Sequence, residues 1–203
     1  MKSKLGLLCC LSVISFGLMS CAPTVKLTTA WEDEALQGKK VEKIFVIGML
    51  QDKAERELLE NEFAEGLKAR GNDAVASYPV LSFEKAADKE TVKATAEVFN
   101  REVLLTTRQI EIKTVEREFT TESYRPCVYQ DWPGPPPCGM EYVPGTAVVK
   151  DMYLVLETDL YDARTEKLLW RGQAEVWLIE NDLVLIKSYV EVMLNRLSQD
   201  KVI

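Results

Sequence analysis

Residues 41–79 read VEKIFVIGMLQDKAERELLENEFAEGLKARGNDAVASYP, and the change of period inside this stretch decides the fold. Val41 to Leu50 is β-rich and mostly apolar in its second half, the pattern of a strand buried on both faces. Asp52 can then cap a helix running to about Arg70, accepting hydrogen bonds from its first free amides. In that helix Leu59, Phe63 and Leu67 fall on one stripe, while Glu55, Glu57, Glu60, Glu62 and Glu65 lie largely outside it. Gly71 stops the helix, and Asp73 to Tyr78 makes a second short strand ended by Pro79. Strand, helix and strand at this spacing predict a right-handed βαβ unit with parallel strands.

Downstream the elements continue in the same way. Asp88 can cap a helix over about 89–99 that carries Val92, Ala96 and Phe99, with Asn100 suited to a left-handed end. Glu102 to Val115 reads as a long strand. Asp151 to Tyr161 and Lys167 to Leu178 read as a hairpin around the turn 162–166. Met152, Leu154, Leu156 and Leu160 share one face of it, with Leu168, Trp170, Ala174 and Val176 on the partner strand. A last helix from Asp182 to about Leu197 turns Ile186, Val190, Met193 and Leu197 inward. The order β-α-β-α-β-β-β-α predicts an α/β fold, one mixed sheet packed against helices in a single domain over 41–203. Residues 21–40 show no sustained period and read as a tether whose Trp31 can dock back. Residues 119–147 read as a loop rich in cysteine and proline.

Composition narrows the function. The chain has 203 residues, 47% hydrophobic, with a net charge of −7, which suits one folded unit and opposes non-specific nucleic-acid binding. Histidine is absent, which excludes Ser–His and Cys–His nucleophiles, histidine proton shuttles and nearly all catalytic zinc sites. The beginning, MKSKLGLLCCLSVISFGLMSC, places Lys2 and Lys4 before an uncharged apolar run too short to span a membrane, as a secretory signal does.

Leu18-Met19-Ser20-Cys21 resembles a bacterial lipobox. The resemblance implies that residues 1–20 are a signal peptide, that cleavage falls before Cys21, and that its sulfur and new amino group are acylated. Two or more acyl chains hold a protein stably on a bilayer. Ala22 is not the aspartate that favours inner-membrane retention, so the expected address is the outer membrane, with the domain facing the periplasm. Cys9 and Cys10 leave with the signal, so Cys127 and Cys138 remain as an even pair in an oxidising compartment. The ten residues between them can reverse the chain, and a disulfide is expected. The alternatives are two free thiols or half of a metal site that lacks further ligands.

The segments IFVIGMLQDKAERELLENEFAEGLKARGNDAVASYPVL (44–81), EVFNREVLLTTR (97–108) and LETDLYDARTEKLLWRG (156–172) resemble a family of uncharacterised bacterial envelope lipoproteins. The resemblance covers about residues 41–180. It departs from the family pattern at Glu166, where a glycine is usual in the hairpin turn. More distantly, the layout is similar to the amino-terminal domain of the Tol-system propeller protein, to the curli-secretion lipoprotein and to lipoprotein activators of penicillin-binding proteins. These relatives imply a non-enzymatic role in binding or assembly.

Three patterns bear on chemistry. Ser82-Phe83-Glu84-Lys85 fits the serine–x–x–lysine spacing of penicillin-binding enzymes but has no Ser-Asp-Asn or Lys-Thr-Gly companion, so Ser82 is read as a turn former. Glu157 and Asp159 share one strand face, as a glycosidase pair would, but Lys167, Arg171 and Gln173 opposite them read as ordinary cross-strand pairing on a solvent face. No metal cluster, phosphate loop or cofactor motif is present, and no catalytic residue is expected. Tyr124, Tyr129, Trp132 and Tyr142 lie among the prolines of the long connection. They read either as a partner-binding surface or as a cover for the sheet edge. The strand at 102–116 is too charged to line a membrane barrel. Two functions follow. One is an outer-membrane adaptor or assembly factor for an envelope protein or cell-wall partner. The other is a small-molecule or lipid-binding envelope protein, using a crevice between sheet and helices.

Overall fold

The computed structural model describes residues 24–36, 39–85, 88–126, 140–179 and 181–203. Nine main elements appear among them: β1 (Val25–Glu32), β2 (Lys43–Met49), α1 (Lys53–Ala69), β3 (Asp73–Ala76), α2 (Lys89–Val98), β4 (Val103–Pro126), β5 (Met140–Asp162), β6 (Leu168–Trp177) and α3 (Asp182–Gln199). The strands form one six-stranded sheet in the order β1-β6-β5-β4-β2-β3. β2 is parallel to β3 and to β4, and the other neighbours are antiparallel. This is the single mixed α/β domain that the pattern predicts.

The chain leaves β2 for β3 over one face and returns across β2 to β4 over the other. Crossovers of one hand running in opposite directions put their helices on opposite faces. α1 and α3 cover the first face, where Leu59, Phe63, Leu67, Val190 and Met193 pack on Ile44, Val46, Leu105, Leu156 and Trp170. α2 covers part of the second, with Val92 and Ala96 over Phe45 and Ile47. The caps are those the side chains dictate. Asp52 Oδ1 accepts from the amides of Ala54 (2.7 Å) and Glu55 (3.0 Å), and Asp88 accepts from Thr91. Gly71 and Asn100 take positive φ, 94° and 52°, just after the helix ends. At Gly172 a Cβ would sit 2.4 Å from the Trp170 indole, so only glycine lets that ring lie across the strand.

Three features differ from the sequence-based expectation. Residues 25–32, read as part of a tether, form the edge strand β1, paired with β6 and interrupted by a bulge between Leu27 and Thr29. The bulge breaks the alternation by which a half-buried strand is recognised. Residues 119–126 and 140–147, read as loop, are strand: β4 and β5 stay paired from Val103↔Asp162 out to Pro126↔Met140. Exposed or only half-buried where its side chains are described, this stretch has no apolar periodicity to betray it. Glu60, placed off the apolar stripe of α1, is fully buried. Its Oε1 accepts from the Gly48 amide (2.8 Å), Arg56 Nε (2.8 Å) and Ser77 Oγ (2.9 Å). Its Oε2 accepts from the amides of Ser77 (2.6 Å) and Tyr78 (2.7 Å). The Arg56–Glu60 pair thus ties α1 to the ends of β2 and β3, with the other groups satisfied as a buried ion pair requires.

Candidate functional site

Two regions combine exposure with unusual chemistry, and β4 and β5 build both. The first is the distal ribbon. β2 stops pairing with β4 at Met49↔Arg108, and β6 stops pairing with β5 at Trp177↔Tyr153. Beyond these points, from Thr114↔Met152 to Pro126↔Met140, the two strands pair only with each other among the described residues, apart from the Leu178 amide donating to the Met152 carbonyl (2.9 Å) at the root. Thirteen residues at ~3.4 Å each carry the ribbon about 40 Å from the body. Its root is fastened. The Arg117 guanidinium hydrogen-bonds Asp151 and lies 5.3 Å from the Phe119 ring and 5.6 Å from that of Trp177, on which Tyr153 stacks. Arg117 is held above its usual pKa, first by its hydrogen bond to Asp151.

Farther out, the ribbon exposes Phe119, Val148 and Val149. Near its far end Tyr124 and Tyr142 stand directly opposite, their rings 5.7 Å apart at 62°. They are 57% and 47% exposed, too open to serve as core. The structure therefore brings two of the four expected partner-binding residues together as a cross-strand aromatic pair. Tyr129, Trp132, the expected disulfide cysteines Cys127 and Cys138, and the expected lipidated Cys21 lie outside the described residues.

The second region is a layer of ion pairs on the α2 side of the sheet. Glu157 and Asp159, expected on a solvent face, are 3% and 2% exposed. Arg171 grips Asp159 with Nε and Nη2, both at 2.7 Å, and Tyr161 donates to the same carboxylate at 2.9 Å. Arg108 donates Nε (3.0 Å) and Nη2 (2.6 Å) to one oxygen of Glu157, and Gln173 donates to the other (2.7 Å). The expected cross-strand pairing is present, but the arginine stems cover the acids. Lys167 instead reaches Asp33 at 2.7 Å. Hydrogen bonding to Asp159 raises the Arg171 pKa further. Burial raises that of Tyr161, and its bond to Asp159 adds to the effect. Ser82 opens a turn, its carbonyl accepting from the Lys85 amide at 3.1 Å.

Beside this layer, under α2, lies a crevice of about 320 Å³. Glu166, in the β5–β6 turn, takes a positive φ of 62°, and its carboxylate lies between Lys89 (2.5 Å) and Lys93 (3.1 Å) of α2. Those bonds hold its pKa below the ordinary glutamate value.

No protein-family model and no curated protein matches the chain. Among solved structures, a PelC dodecamer from Paraburkholderia phytofirmans is similar over 88% of this chain and 97% of its own, at 13% identity and a TM-score of 0.46. Lipoprotein GNA1162 from Neisseria meningitidis is similar over 78% of this chain and 99% of its own, at 16% identity and a TM-score of 0.42. A PDZ domain protein from Parabacteroides distasonis covers 74% of this chain at 12% identity, with 31% of its own length matched and a TM-score of 0.31. At these values each is a likeness of outline.

Proposed function

We propose that this chain is a lipid-anchored, non-enzymatic protein of the bacterial outer membrane, its domain on the periplasmic side. In this reading it is an adaptor or assembly factor that holds an envelope protein or cell-wall partner through the distal β4–β5 ribbon. The observation that carries the reading is the exposed Tyr124–Tyr142 pair near the end of a two-stranded arm. A ribbon without a third strand is marginal by itself, and among the described residues neither of its edges pairs with a further strand, so both can take an added one. Aromatic anchors of low conformational entropy are what recognition surfaces use. The Leu18–Cys21 lipobox order supports the anchor. Among the described residues no helix is long and apolar enough to cross a membrane.

The test is photocrosslinking in whole cells, with the crosslinking residue placed at 142 and, as a control, at the exposed Lys187 of α3. A discrete partner captured from 142 and not from 187 supports the reading. Equal capture from both positions, or undiminished partner binding after ribbon residues 116–148 are replaced by a tight turn, would overturn it. Cys21→Ser addresses the anchor separately: acyl labelling should stop and the protein should leave the outer-membrane fraction.

A further inference from the structure

The crevice under α2 is left unused by a partner role for the ribbon, and its lining has two parts. Met49, Val92, Leu104 and Ala163 make an apolar floor, and Lys89, Lys93 and Arg108 stand around it. The volume, about 320 Å³, lies at the lower end of the range for small-ligand sites.

The cations there are under-used. Lys89 and Lys93 share the single carboxylate of Glu166. Arg108 spends two donors on one oxygen of Glu157, and its side chain is half exposed. With Glu90, whose charge also acts on Lys89, the cations Lys89, Lys93, Arg108 and Arg171 face Glu157, Asp159, Glu166 and Glu90, so the positive charge is gathered at the crevice although the cluster is balanced.

Glu166 completes the picture. A non-glycine residue at φ 62° bears a steric cost, and here the side chain that bears it puts a carboxylate between two lysines at the crevice mouth. This carboxylate is a built-in occupant. It is itself about one-third exposed, so an external oxyanion can displace it without unburying anything.

We propose that the crevice binds a small anionic amphiphile, its oxyanion head between Lys89 and Lys93 in place of the Glu166 carboxylate and a short apolar body over Met49, Val92 and Leu104. The ligand is a free single-chain molecule, since two acyl chains exceed the space. This site is independent of the ribbon and of what the ribbon holds.

The test is calorimetric titration of the mature full-length domain with octyl phosphate, inorganic phosphate, uncharged octyl glucoside and phosphatidylglycerol vesicles. Octyl phosphate should bind saturably at one site, with the other three each weaker by about fivefold or more, the share of one partly exposed ion pair or one apolar contact. Lys93→Gln should weaken octyl phosphate about fivefold. Glu166→Gly should tighten it, because the variant removes the competitor and leaves the backbone unstrained. Melting curves of both variants, unchanged within a few degrees, establish that they fold. The proposal is overturned if octyl glucoside binds as well as octyl phosphate, if Glu166→Gly weakens binding, if vesicles bind as tightly as the single-chain probe, or if no amphiphile saturates.

Discussion

β4 and β5 pass through two physical settings along their length. Between Val103 and Arg108, β4 lies between β2 and β5, its residues pressed by α1 and α3 on one face and by α2 on the other. There even polar side chains are buried and matched: Thr107 bonds Thr158, whose hydroxyl also bonds that of Tyr189 (both 2.7 Å). Beyond Lys113 the same two strands keep their register, touched at the root by Trp177 of β6 and otherwise with neither a third strand nor a helix among the described residues. Cross-strand pairs such as Lys150–Glu116 (2.9 Å) and Tyr124–Tyr142 replace the core. In the body a side chain is held by many neighbours, so its loss spreads. In the ribbon it is held by one or two, so its loss stays local and its surface is free for a partner.

The comparison breaks most easily at Glu60. Glu60→Ala leaves Arg56 buried without its partner and should cost about 3–5 kcal/mol in denaturant unfolding. The double variant Arg56→Met with Glu60→Leu should recover only part of that loss, since it removes the unpaired charge but leaves the amides of Gly48 and Tyr78 without their acceptor. A cost under ~1 kcal/mol for Glu60→Ala would mean that the network does not hold β2, α1 and β3 together.

Tyr189→Phe is the next largest, at about 1–2 kcal/mol, because Thr158 loses one of its two hydroxyl partners in a buried site. Burial raises the Tyr189 pKa, so the hydroxyl stays protonated and the effect should be flat from pH 6 to 9. A loss that grew across this range would place the tyrosine in contact with solvent.

Glu55, at the first turn of α1, carries a raised pKa, first from burial and then from the nearby charges of Asp182 and Asp52. Its charged form is therefore disfavoured in the folded state relative to the unfolded one. That penalty is present above the raised pKa and disappears as the pH falls through it. Glu55→Gln should be slightly more stable than the native chain at neutral pH and indistinguishable from it in acid, read from melting temperatures across pH. The reverse trend would show an unrecognised cation beside Glu55.

The smallest effect on stability is expected in the ribbon. Tyr124→Ala should change unfolding by under ~0.5 kcal/mol, yet reduce crosslinking from position 142. A strong drop in melting temperature with crosslinking intact would make the aromatic pair a packing device and erase the contrast with the body.

The body was legible in the chain because burial writes itself as period. Leu59, Phe63 and Leu67 announce a helix face, Ile44 to Ile47 a strand covered on both sides, and Asp52, Asp88, Gly71 and Asn100 the helix ends. The candidate binding residues were visible as types, exposed aromatics near prolines and charges two apart on a strand. Their partners were not. That Tyr124 faces Tyr142 follows from a register of 23 residue pairs whose outer half runs along segments with no apolar alternation, and no local pattern encodes such a register. That Glu60, Glu157 and Asp159 are buried follows from guanidinium groups arriving from Arg56, Arg108 and Arg171. The helix wheel and strand alternation reckon each charge as seeking water, whereas a charge matched by hydrogen bonds can be enclosed. The crevice likewise needs α2, β4 and the β5–β6 turn placed together. Residues close in the chain could thus be read one element at a time, while pairings across the sheet and between helix and turn existed only once the chain had packed.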